Sequence, residues 1–131
     1  MRVLALDYGS ARTGVAVSDE TGTLARPVGV VEHASSTAGL ERVASLVAEH
    51  GAERVVVGLP LTLKGERGEQ ARETEVFVEA LATVVSVPIE LYDERFTTRL
   101  ASLTPSSGTP EDALAAAHLL AGYLERTAAG T

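Results

Sequence analysis

At 131 residues the chain is long enough for one compact domain with a real core and too short for two. Apolar residues make up 45%, no apolar run approaches the length that crosses a bilayer, and the N-terminus lacks signal-peptide architecture, so a globular domain without a membrane role is expected. Cysteine is absent, which excludes disulfides and thiolate zinc sites and fits a cytoplasmic setting, while a net charge of −7 is the wrong sign for a protein held to nucleic acid by charge alone.

Val3 to Leu6 is an apolar, β-rich run that ends in Asp7. Tyr8-Gly9-Ser10 breaks it, and Thr13 to Val17 reads as a second strand, close enough to form an antiparallel hairpin with the first. Pro27 to Val31 is a third strand whose proline suits a sheet edge. Ser35-Ser36-Thr37 supplies N-cap candidates, Leu40, Val43, Ala44 and Val47 recur at helical spacing, and Gly51 lies just beyond, so a helix is predicted over Thr37 to His50. Arg54 to Leu59 is continuously apolar, as in a strand buried on both faces, and Pro60 ends it.

Leu61 to Gly68 is a polar loop carrying Lys64, the only lysine. A second helix is predicted over Glu69 to Val85, with Phe77, Ala80, Leu81 and Val84 on its inner face. Pro88 to Tyr92 is a fifth strand and runs into Asp93-Glu94-Arg95. A helical turn over Thr97 to Leu103 and a Ser/Gly/Pro-rich loop over Pro105 to Gly108 precede a last, alanine-rich helix from Thr109 to Arg126. The order β-β-β-α-β-α-β-α describes an α/β protein with a mixed sheet, a meander followed by right-handed crossovers, in one domain over residues 1–131.

Asp7, Asp93, Glu94 and Asp112 stand out. If the first, fourth and fifth strands run parallel, Asp7 and Glu94 emerge at the carboxyl edge of the sheet, where open α/β sheets bind ligands. The start of the last helix would bring Asp112 alongside. Crowded carboxylates make sense where a cation offsets their repulsion, and two divalent ions about 4 Å apart would activate a water and stabilise a leaving oxygen of a phosphodiester. Each acid has another reading: Asp7 as a turn residue bonding its own backbone, Asp112 as part of a Thr-Pro-Glu-Asp helix start, Glu94 as a solvated rim residue. His33, His50 and His118 show no ligand spacing, so a metal would be held by carboxylates, favouring Mg²⁺ or Mn²⁺. His118 lies six residues beyond Asp112 on another helix face and reads as structural or surface. The cations Arg12, Lys64, Arg67, Arg72, Arg95 and Arg99 fall in loops or at element starts, near the acidic strand ends.

Four ordered motifs resemble the YqgF family, also called RuvX, of proposed Holliday-junction resolvases. Its Asp-x-Gly-x-x-Arg-x-Gly-Val-Ala-x-Ser-Asp opening is met by Asp7, Gly9, Arg12, Gly14, Val15, Ala16, Ser18 and Asp19. Its Val-Gly-Leu-Pro-Leu motif and glycine loop are met from Val57 to Leu61 and by Gly65. Asp-Glu-Arg-x-Thr-Thr stands at Asp93, Glu94, Arg95, Thr97 and Thr98, and the final motif is met by Asp112, Ala115, Ala116, Tyr123 and Leu124. The resemblance implies an RNase H-like fold with strand order 3-2-1-4-5 and a metal-dependent nuclease acting on structured RNA, pre-16S rRNA, or on branched DNA. It implies Asp7, Glu94 and Asp112 as metal-binding catalytic acids, and Arg12, Lys64, Arg95, Thr97 and Thr98 as phosphate contacts, in a monomer or homodimer.

Two features depart from the family pattern. The stretch from Arg99 to Glu111 is short and holds one basic residue, where the family carries a longer basic segment, which lowers the expected substrate affinity. Ala115 and Ala116 stand one turn after Asp112, so the site has three carboxylates at most. A non-catalytic rRNA-binding module is the alternative that these departures favour. An actin-like ATPase would share the Asp-x-Gly hairpin but needs a second lobe.

Overall fold

The computed structural model describes residues 1–62, 64–94 and 108–129. Its elements are β1 (Val3–Asp7), β2 (Arg12–Ser18), β3 (Ala25–Glu32), α1 (Thr37–Glu49), β4 (Arg54–Leu59), α2 (Glu69–Leu81), β5 (Ile89–Asp93) and α3 (Glu111–Ala129). The five strands form one sheet in the order β3-β2-β1-β4-β5, as the resemblance implied. β1 pairs antiparallel with β2 and parallel with β4, and β4 pairs parallel with β5. The carboxyl ends of β1, β4 and β5 therefore share one edge.

Side-chain alternation along β1 builds two cores. Leu4 and Leu6 face Val43, Leu46, Val47, Phe77 and Leu81 of α1 and α2. Val3 and Ala5 face Ala116, Ala117, Leu120 and Tyr123 of α3. Val55 and Val57 of β4 lie on the first face and Val56 on the second, all fully buried, which is why that strand reads as continuously apolar. Alanine on the inner stripe of α3 lets the helix lie close to the sheet: a Cβ added at Gly14 of β2 would overlap the carbonyl oxygen of Asp112. Ser36 caps α1 by accepting the Gly39 N–H at 3.0 Å, and Gly51 (φ 61°) turns the chain after it.

β3 is longer than its apolar run and forms the sheet edge. A register shift between Val15 and Ala16 brings Pro27 opposite Ala16, so the missing N–H falls at a bulge. The second helix ends at Leu81, short of the predicted Val85. Turns take over where Thr83 donates its hydroxyl to the Ala80 carbonyl at 2.6 Å. β-branched Thr83, Val84 and Val85 favour this early stop, and Val84 is exposed instead of facing the core. The predicted turn over Thr97 to Leu103 lies outside the described residues. No helix among the described residues is long and apolar enough to cross a membrane.

Candidate active site

Asp7 ends β1, Glu94 follows β5 directly, and Asp112 lies in the first turn of α3. The structure brings all three to the carboxyl edge of the sheet but couples them unequally. Asp7 and Glu94, both half-buried, are hydrogen-bonded to each other through their carboxyl groups. Such a pair holds a proton, because two adjacent carboxylates cannot ionise together without strong repulsion. Burial first, then the hydrogen bond and negative charge of Asp7, with Asp93 adding to them, push Glu94 up to about 8. Burial also raises Asp7. The hydrogen bond from Glu94 offsets part of that rise, and the charge of Asp112 adds to it. Both shifts run upward, so the pair as a unit retains its shared proton at neutral pH.

Gly58 makes this contact possible. It sits on β4, between β1 and β5, and a Cβ there would lie 2.9 Å from both Cγ and Oε1 of Glu94. Without a side chain at this point, the Glu94 carboxyl can settle against the β4 backbone toward Asp7. Asp112 turns elsewhere: its Oδ2 forms an ion pair with Arg12 Nε at 3.1 Å, with both side chains substantially exposed.

The acid pair stands between two cavities. On the α3 side, a cavity of about 370 Å³ is lined by Asp7, Glu94, Glu111, Leu114, Ala115, His118 and Leu119. On the α2 side, a cavity of about 170 Å³ runs from the same acids past Tyr8, Gly9 and Ser10 to Pro60, Gln70, Glu73 and Thr74. The Tyr8 ring stacks on buried Phe77 at a centroid distance of 4.5 Å, which fixes the backbone immediately after Asp7.

The donor chemistry fits a hard divalent cation. Two carboxylates held together at the cost of a retained proton, beside a backbone cleared by Gly58, suit an ion that replaces the proton with oxygen coordination. The third carboxylate is not assembled with them. Among the described residues no three Asp, Glu or His side chains converge at metal-binding spacing, and Asp112 is engaged with Arg12.

Of the expected phosphate contacts, Arg12 stands at this edge, bound to Asp112. Lys64 is exposed in the Thr62–Gly65 turn and lines neither cavity. Arg67, a loop cation outside that expected set, pairs with Glu75 at 2.6 Å. Arg95, Thr97 and Thr98 lie outside the described residues. His118 does occupy a different helix face from Asp112, but that face borders the cavity shared with Asp7 and Glu94. Its spacing from Glu111, Leu114 and Ala115 (seven, four and three residues) was the available signal; the comparison with Asp112 alone missed it.

A family model described as "RuvX: Holliday junction resolvase" matches residues 1–126. A Chloroflexus aggregans protein named "Putative pre-16S rRNA nuclease" is 46% identical over 95 residues, covering 72% of this chain and 67% of that protein. A Chloroflexus aurantiacus protein of the same name is 38% identical over 131 residues, covering 94% of this chain and 86% of its own length. Among solved structures, Thermus thermophilus RuvC in complex with a Holliday junction substrate superposes with a TM-score of 0.71 at 18% identity, covering 100% of this chain and 97% of that one. The last likeness establishes the RNase H-like fold. The match over residues 1–126 establishes the lineage: the chain belongs to the RuvX family of nucleases, enzymes that hydrolyse phosphodiester bonds.

Proposed function

We propose that this nuclease processes the 5′ end of pre-16S rRNA in the cytoplasm, using Mg²⁺ or Mn²⁺ held by Asp7, Glu94 and Asp112. The observation that carries the metal reading is the Asp7–Glu94 pair, two carboxyl groups bonded together at the edge where β1 and β5 end. The names borne by the relatives from both Chloroflexus species support the RNA substrate.

A divalent cation in this position would polarise a phosphodiester and activate water. The chain's own residues do the rest. Asp7 and Glu94 would hold the cation through their oxygens, with the loss of the proton that the pair shares. Asp112 completes the set when it leaves Arg12. The freed Arg12 guanidinium then meets a phosphate oxygen, with Lys64, Arg95, Thr97 and Thr98 as further contacts along the strand. An acidic protein needs such local cations, since its overall field opposes RNA.

The test is cleavage of an end-labelled pre-16S rRNA leader fragment with Mn²⁺, Mg²⁺ or EDTA, run beside Asp7→Asn. Metal-dependent cutting that the variant loses is the expected result. Binding without turnover in both proteins would overturn the nuclease assignment in favour of an rRNA-binding module. A four-way DNA junction in the same assay addresses the second reading, which rests on the family description. Resolution needs two sites on opposed strands and hence a homodimer. Symmetric cutting of the junction, with the leader left intact, would replace the RNA substrate.

A further inference from the structure

We infer that His118 is a substrate-contacting residue: with Leu114, Ala115 and Leu119 it forms a subsite for the nucleoside beside the scissile phosphate. The inference rests on the nuclease reading and names what the α3-side cavity holds.

The cavity has two unlike walls. One carries the carboxyl groups of Asp7 and Glu94, and the other is a stripe of α3 on which Leu114, Ala115 and His118 share a face with Glu111. Its volume of about 370 Å³ falls within the range of small-molecule sites, about 300–1,000 Å³. Three carboxylates border this space, so a bare anion is a poor occupant. A phosphate would sit at the Asp7–Glu94 wall with the cation that those acids suit. The uncharged part of the nucleotide then extends over the apolar stripe, which is continuous with the catalytic acids.

His118 supplies polarity on that stripe. Its Nδ1 is enclosed and has no hydrogen-bond partner among the described residues. A proton on Nδ1 would be a buried donor without an acceptor, so in the neutral ring the proton sits on Nε2. A base carbonyl or ring nitrogen of a nucleoside in the cavity accepts from the Nε2–H, while Leu114 and Ala115 cover the base face.

The test is side-chain NMR of ¹⁵N-histidine protein titrated in Mg²⁺ with 5′-UMP, 5′-AMP and ribose 5-phosphate, none of which holds an internucleotide bond to cut. Three histidines make the spectrum assignable through His118→Gln. The mononucleotides are expected to shift the His118 signals and leave His33 and His50 in place, with ribose 5-phosphate giving a smaller response. His118→Leu is expected to weaken mononucleotide binding about tenfold, the scale of one hydrogen bond, and His118→Gln to restore most of it. An unmoved His118, a response to Mg²⁺ alone, an equal response to ribose 5-phosphate, or a glutamine variant as weak as leucine would each overturn the subsite. These readouts need no turnover. An inactive enzyme whose His118 still answers to mononucleotide would overturn the nuclease reading and leave the subsite standing.

Discussion

Arg12 Nε lies 3.1 Å from Asp112 Oδ2, so the first residue of β2 is ion-paired with the first turn of α3. The guanidinium stands where it neutralises the one acid that is not joined to the Asp7–Glu94 pair. It therefore competes with any cation for Asp112.

Arg12→Gln is expected to tighten Mn²⁺ binding modestly while weakening RNA binding. An exposed ion pair contributes about 0.2–1 kcal/mol, so the metal affinity should rise by no more than about fivefold. Isothermal titration with Mn²⁺, and a separate RNA-binding isotherm at fixed salt, give the two signs. Weaker binding of both ligands would mean that Arg12 holds Asp112 in place for the metal.

Glu94 makes the metal-free protein sensitive to alkali. Its carboxyl titrates at about 8 in the fold against 4.5 when free. Between those values the native state keeps a proton that the unfolded chain has released. The contribution to stability is thus complete below the unfolded value and is lost as pH rises through the folded one. Asp7 is raised as well and acts in the same direction. Urea midpoints in EDTA should fall as pH rises across this window, and Glu94→Gln should flatten the fall and abolish cleavage. Mn²⁺ should raise the midpoint more at the alkaline end, where no proton has to be displaced. A midpoint independent of pH in EDTA would show that the two carboxyls do not share a proton.

Gly58 and Gly14 offer a contrast between moving a side chain and moving a helix. A Cβ at Gly58 comes 2.9 Å from the Glu94 side chain, which can swing aside. Gly58→Ala should keep the fold within about 1 kcal/mol yet lose metal affinity and activity. At Gly14 the obstacle is the backbone of Asp112, which cannot move alone. Gly14→Ala should cost about 1–3 kcal/mol and disturb the start of α3. Thermal melts with and without Mn²⁺ separate the two.

Tyr123 anchors α3 at the opposite end of the sheet. Its hydroxyl accepts from Arg54 Nη1 at 2.9 Å and donates to Glu90 Oε1 at 3.1 Å, and its ring meets Tyr92 edge-on at 5.6 Å. Tyr123→Phe keeps the ring and removes both hydrogen bonds. A loss of about 1–2 kcal/mol in urea unfolding is expected, with Mn²⁺ affinity unchanged.

The sequence by itself determined the element order, the mixed sheet and the two-sided burial of β4, because hydrophobic period, caps and turn residues are local and add up along the chain. It also marked Asp7, Asp93, Glu94 and Asp112, since strand ends and a helix start are local features too, and the family motif favoured Glu94 over Asp93. Tertiary structure decided which acids share a proton and which is held by a cation. That depends on Gly58 and Gly14 being bare where another element's atoms arrive, a property invisible until β5 and α3 are packed against them. It also placed His118. Helical spacing alone says which residues share a face, whereas the sheet edge opposite that face determines whether it meets solvent, core or the acid pair.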